Sequence, residues 1–249
     1  MERDRWNHNI HYHRLILRAV PSHCGHVLDV GCGEGTLTRE LSSEVRHVTA
    51  IDLDVSTIER ARRHNGAENI DYLVGDFLTH SFECASFEAI VSVAALHHMG
   101  TATGLERMCE LLQPGGTLAV VGLARSRSPA DLVFDLAGAI GTRLHKLTKT
   151  YWETSAPKVW PPPETFGETR RAARRTLPGV HYRRHILWRY SLVWTKPVGA
   201  SGGAGGDSGG VSTARQAIGA YHRGRMHRCR SRRRGTWSKP RSGKGVVPG

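Results

Sequence analysis

A chain of 249 residues with 39% hydrophobic residues and six tryptophans can build a buried core, as one large α/β domain or two small ones. Its net charge of +13 resembles a nucleic-acid signature, yet residues 201–249 hold 11 Lys and Arg against one acid, Asp207. That tail carries +10 and leaves an ordinary +3 for residues 1–200, while no apolar run approaches the ~18 residues that span a bilayer.

The polar N-terminus has no apolar stretch of the secretory kind. Five scattered cysteines (Cys24, Cys32, Cys84, Cys109, Cys229) form no C-x-x-C pair, which predicts reduced thiols in a cytoplasmic protein. Residues 10–20 place Tyr12, Leu15, Ile16, Ala19 and Val20 at helical spacing, and Pro21 ends the run. Trp6 to Asn9 and the triplet His11-Tyr12-His13 invite a metal reading. His11 and His13 would lie on different faces of a helix, so solvated or cleft-lining polar residues fit better.

His26–Val30 reads as the first strand, and Thr36–Val45 as a helix with Leu37, Leu41 and Val45 on one face. His47–Asp52 is the second strand. Ser56-x-x-Glu59 has the capping-box pattern for a helix ending near Asn65-Gly66. Asn69–Val74 and Phe87–Val93 are the third and fourth strands. Thr103-x-x-Glu106 caps a helix that puts Leu105, Met108, Cys109 and Leu112 on one stripe. Pro114-Gly115-Gly116 is a turn, and Thr117–Leu123 is apolar almost throughout, as a strand covered on both faces requires. Ser128-Pro129 starts a helix with Leu132, Val133, Leu136, Ala139 and Ile140 inward, and the proline-rich Tyr151–Pro163 is an irregular loop. Thr165-x-x-Glu168 opens a basic helix to about Leu177. His181–Leu187 and Tyr190–Thr195 are too close for a crossover helix and form an antiparallel pair. Alternating strands and helices make an α/β chain with a doubly wound, mostly parallel sheet.

From Gly199 a Gly/Ser run leads into an arginine-rich end without hydrophobic periodicity. Such a segment cannot bury enough apolar surface to offset its ordering entropy and is expected to be disordered. A nucleic-acid or membrane-surface arm and a spare extension are its two readings. The chain thus divides into a domain, 1–198, and a tail, 199–249.

The chemistry concentrates in Val27-Leu28-Asp29-Val30-Gly31-Cys32-Gly33-Glu34-Gly35-Thr36. A strand running into a glycine loop that opens a helix brings backbone N–H groups close to a ligand. The order is Asp-x-Gly-x-Gly-x-Gly, and an acid on that lip suits a ligand with an ammonium group better than a pyrophosphate.

Five segments in this order resemble class I S-adenosylmethionine-dependent methyltransferases, nearest the small-molecule type 11 or ubiquinone-biosynthesis-type group. They are Asp29 to Gly35, Asp52 ending the second strand, Gly75-Asp76-Phe77, Ala95-Leu96-His97-His98-Met99, and Leu112 to Gly116. The resemblance covers about residues 8–197. It implies a Rossmann-like sheet of seven strands with only the last antiparallel, and S-adenosylmethionine as cofactor. It also implies site roles. Gly31, Cys32, Gly33 and Gly35 would line the amino-acid and ribose portions, with Asp29 meeting the ammonium. Asp52, followed by Leu53, would accept both ribose hydroxyls. Asp76 and Phe77 would meet the adenine, with a helix cap as the alternative for Asp76. Ser92, Val93 and Ala94 would line the methionine arm, or simply pack the strand. His97 and His98 would face the acceptor, as proton acceptors or as supports of their loop. Tyr12 and His11 would cover the cofactor. The acceptor would be a small molecule methylated on O, N or C.

Three rivals remain. A nucleic-acid methyltransferase would lean on the basic tail, but neither an Asn/Asp-Pro-Pro-Tyr/Phe nor a Pro-Cys motif follows the fourth strand. A nicotinamide-dependent dehydrogenase would want Gly or Ala where Thr36 stands. A silent binding module would keep the fold without turnover.

Overall fold

Alternation of apolar runs at period two with runs at helical spacing gives alternating strands and helices. β1 (Arg5–Trp6), a 3₁₀ turn (Ile10–Tyr12) and α1 (His13–Ala19) precede β2 (His26–Val30), α2 (Thr36–Ser42), β3 (His47–Asp52) and α3 (Val55–Arg63). β4 (Ile70–Val74), β5 (Phe87–Val93), α4 (Leu96–Met99), α5 (Thr101–Leu111) and β6 (Leu112–Leu123) follow. The chain continues with α6 (Asp131–Thr148), β7 (Thr150–Tyr151), α7 (Phe166–Thr176), β8 (His181–Arg184) and β9 (Arg189–Thr195). The structure is a computed structural model that describes residues 5–22, 24–127, 131–148, 150–151 and 161–198. The expectations for Ser128-Pro129, for most of the proline-rich loop and for the tail 199–249 lie outside the described residues.

Seven strands form one sheet in the order β4-β3-β2-β5-β6-β9-β8. β2 to β6 pair in parallel, and β9 alone runs against them, inserted antiparallel between β6 and β8. Successive strand residues point to opposite faces, so the apolar strands feed two cores. One holds Leu28, Ile51, Ile90, Leu118 and Val120 against α4, α5 and α7 through Leu96, Leu105, Met108 and Ala173. The other holds Val27, Val48, Ala50, Val91 and Val121 against Ile16, Leu37, Leu41 and Ile58 of α1, α2 and α3. The chain order reverses between β3 and β5 on either side of β2. That reversal opens a crevice at the carboxyl ends of the parallel strands.

Several local expectations are corrected. α3 is capped by Asp54, whose carboxylate accepts from the Ser56 N–H at 2.9 Å and from the Thr57 hydroxyl at 2.6 Å, so Ser56 lies inside the helix. α5 starts at Thr101, before the expected cap Thr103, because Glu164 accepts from both the N–H and the hydroxyl of Thr101. The capping box of Thr165 and Glu168 on α7 is present as expected. α2 ends at Ser42, though Val45 is still buried. Tyr151 belongs to β7, paired in parallel with β1. The apolar stripe of α6 faces outward, with Val133 72%, Leu136 63% and Ile140 53% exposed. The helix instead turns Gly138 to the chain at Leu187, where a Cβ would stand 3.2 Å from a backbone nitrogen. Cys24, Cys32 and Cys109 are free thiols, whereas Cys84 is disulfide-bonded, against the expectation of reduced thiols throughout.

Candidate active site

β2 delivers its last residues to the crevice, where a glycine loop takes over. Gly31, Gly33 and Gly35 have φ of 70°, 56° and 73°, a region that glycine enters without steric cost. The loop is pinned to the neighbouring strand, since the N–H groups of Gly31 and Cys32 both donate to the Ile51 carbonyl, at 2.8 and 3.2 Å. At Gly31 a side chain would collide with Ala95, and at Gly35 with the Tyr72 ring, so both positions serve close packing. Gly33 differs: nothing lies within 4 Å of where its Cβ would be. It borders a cleft of about 970 Å³.

Five carboxylates line that cleft, Asp29, Glu34, Asp52, Asp54 and Asp76. Asp52 Oδ2 accepts from the Gly33 N–H at 2.9 Å and Oδ1 from the Asp54 N–H at 3.1 Å, which joins the end of β3 to the glycine loop. Asp29 is 1% exposed and accepts from the Thr38 hydroxyl at 2.7 Å. Burial pushes its carboxyl up to about 6, because the charged form loses its hydration, and the Thr38 bond offsets only part of that. Burial likewise raises the Cys32 thiol well above its ordinary range, so Cys32 is a neutral lining group. Asp76 Oδ1 accepts from the Leu78 N–H at 2.9 Å, so Asp76 caps its own turn while also lining the cleft. Leu53, 72% exposed, presents an apolar face beside it, and Phe77 lines the cleft while 95% buried.

Past β5, Val93, Ala94 and Ala95 lead into α4. Ala94 has φ of 57°, a strained state for a residue with a Cβ, and its N–H donates to the Val121 carbonyl at 2.7 Å. α4 sets His97 and His98 side by side, with ring centroids 4.0 Å apart. Burial, the His98 ring and the Arg189 guanidinium hold His97 down to about 4, so its imidazole is neutral at pH 7. Its Nδ1 is buried and has no hydrogen-bond partner among the described residues.

Of the residues expected to bind a ligand, Asp29, Gly31, Cys32, Gly33, Asp52, Leu53, Asp76, Phe77, Val93, His97 and His98 line this one cleft. Gly35 and Ser92 do not: Gly35 packs on Tyr72, and the Ser92 hydroxyl donates to the Val30 carbonyl at 2.9 Å. Tyr12 and His11 do not either, since the Tyr12 hydroxyl donates to the Ile186 carbonyl at 2.7 Å and His11 rests edge-on against Trp6. The N-terminal segment instead lines the cleft with Asn7, His8, Asn9, Ile10 and His13. Asn7 folds that segment by accepting from the N–H groups of Asn9 and Ile10, both at 2.8 Å. Sequence reasoning passed over Trp188 and Arg189, which enter the cleft from the β8–β9 turn. The available signal was Leu187-Trp188, two bulky residues at a hairpin turn where Gly or Asn is usual.

Comparison with known proteins supplies the family. The methyltransferase domain family matches residues 27–116. An uncharacterized methyltransferase of Mycobacterium tuberculosis is 40% identical over 194 residues, which cover 78% of this chain and 98% of that protein. A ubiquinone biosynthesis O-methyltransferase of Xylella fastidiosa is 38% identical over 149 residues, 57% of this chain and 59% of its own length. Among solved structures, a SAM-dependent methyltransferase from Methanosarcina mazei superimposes with a TM-score of 0.54 at 18% identity, covering 74% of this chain and 97% of that one. The chain belongs to the class I S-adenosylmethionine-dependent methyltransferases.

Proposed function

We propose that the cleft binds S-adenosylmethionine along β2, β3 and β4 and transfers its methyl group to a small molecule held against α4 and β9. The observation that carries this reading is Gly33, open where a side chain would stand and tied through its N–H to the carboxylate of Asp52. A β-carbon there would fill the cradle that a ribose or amino-acid portion needs. Asp29 fits a cationic group for an independent reason: a buried carboxyl that ionises only reluctantly is relieved by an ammonium nearby. Asp52 is the acceptor for the ribose hydroxyls. The exposed Leu53 and the turn at Asp76 and Phe77 provide an apolar face and a carboxylate for the adenine.

When bound, S-adenosylmethionine supplies a methyl group already activated by the sulfonium charge. The protein's own part is to hold the acceptor in line and to exclude water, which provides most of the acceleration in such a transfer. His97 and His98 are assigned to the acceptor side as positioning groups. An imidazole held down near 4 is a poor match for a general base at neutral pH. The basic tail is no part of this reading, and a nucleic-acid acceptor would need it.

Asp52→Ala is expected to weaken S-adenosylhomocysteine binding more than tenfold, and Gly33→Val to abolish it, both read by titration calorimetry. Near-wild-type affinity in either folded variant contradicts the site assignment.

A further inference from the structure

The cleft is electrically divided, and the strand order divides it. Its five carboxylates follow the ends of β2, β3 and β4 or the helices just after them, on one side of the switch point. On the other side, beyond β5 and β6, lies Arg189, the only arginine or lysine among the described lining residues. Because β9 runs antiparallel, its first residue stands at the same edge as the carboxyl ends of the parallel strands, and Arg189 pairs with Leu123 at the end of β6. Three strand spacings separate β2 from β9, about 14 Å.

Arg189 is 6% exposed, and named contacts fix its plane. One terminal nitrogen donates to the Leu187 carbonyl at 3.1 Å and the other to Asn9 Oδ1 at 2.8 Å, both uncharged acceptors. The turn that presents it is strained. Leu187 and Trp188 have φ of 60° and 56°, where residues with a Cβ pay about 1–2 kcal/mol each. Leu187 is fully buried, and the neighbouring Ile186 carbonyl is held by the Tyr12 hydroxyl, so surrounding packing over-determines the turn. A strained turn kept in place to put a buried guanidinium and an indole into a cleft is the kind of outlier that points to a ligand.

We infer that Arg189 is the specificity-determining contact for the acceptor, and that the acceptor carries a carboxylate which the guanidinium binds. The inference rests on the methyltransferase reading above. A guanidinium matches the planar carboxylate with paired N–H groups, and Trp188 offers a flat apolar surface for the rest of the molecule. One arginine beside a neutral imidazole balances one negative charge. A phosphate dianion would want more cations than this side of the cleft has among the described residues.

The test uses the full chain saturated with S-adenosylhomocysteine, with acetate, butyrate and benzoate as probes, each against its amide and against inorganic phosphate. The carboxylates are expected to bind at least tenfold more tightly than their amides. Arg189→Met should remove that preference while S-adenosylhomocysteine affinity stays within twofold, and Arg189→Lys should keep part of it. A second readout needs no variant. The titration of the His97 ring, followed by its Cε1–H resonance, should shift upward when benzoate is bound, because the anion offsets the Arg189 charge that helps hold His97 down. Equal binding of carboxylate and amide, an unchanged preference in a folded Arg189→Met, or a His97 titration indifferent to benzoate each overturns the inference, as does tighter binding of phosphate. Failure of S-adenosylhomocysteine to bind at all contradicts the cofactor reading instead and takes this inference with it.

Discussion

At the scale of single residues the cleft works through the cost of burying charge. Asp29 is raised from 3.8 to about 6 chiefly by burial, so folding favours its protonated form. Its contribution to stability is therefore fully present below about pH 4 and lost as the pH rises through about 6. A bound ammonium reverses the preference. S-adenosylhomocysteine affinity should be level above pH 7 and fall as the pH drops through 6. At pH 6 binding should release protons, seen as a dependence of the calorimetric heat on buffer ionisation enthalpy. A flat affinity between pH 5 and 8 would show that Asp29 does not meet the ammonium. His97→Ala and His98→Ala should leave cofactor affinity within twofold of wild type and reduce methyl transfer once an acceptor is in hand. A tenfold loss of cofactor affinity in either would place these rings on the wrong side of the cleft. Asp29, Asp52 and the glycines were legible because their chemistry is set by residue type and spacing alone. Arg189 was not, since its meaning comes from a strand reversed between β6 and β8.

Elements follow the sequence closely where local chemistry decides them. The bounds of β2, β3 and β5 agree with their apolar runs, and Thr165 with Glu168 caps α7 as the spacing requires. Thr165→Ala should cost about 1 kcal/mol of stability by removing that cap, measured by urea unfolding, with cofactor affinity unchanged. A loss below about 0.3 kcal/mol would mean the box contributes little beyond the packing of Phe166 and Ala173. Where tertiary partners decide, the sequence was a poorer guide. Thr103 and Glu106 have the spacing of a cap, but Glu164, 63 residues away from Thr101, starts the helix earlier. The period of α6 identified an apolar face without saying which face docks. Close approach at Gly138 turned the helix the other way, and Leu144 extends its outward stripe at 59% exposure.

For the whole molecule, the consequence of the topology is a single crevice where cofactor and acceptor meet. The cofactor side is built from short β-to-α connections close in sequence, between Asp29 and Phe77, which is why it could be read from the chain. The acceptor side gathers Asn9, His97, Trp188 and Arg189 from three distant segments, and only the folded sheet brings them together. The account's central claim is that this crevice takes S-adenosylmethionine. Parallel calorimetric titrations of the full chain with S-adenosylmethionine, S-adenosylhomocysteine and NADH test it most directly. The account predicts micromolar binding of both sulfur ligands and none of NADH; binding of NADH alone, or of none of the three, would contradict it.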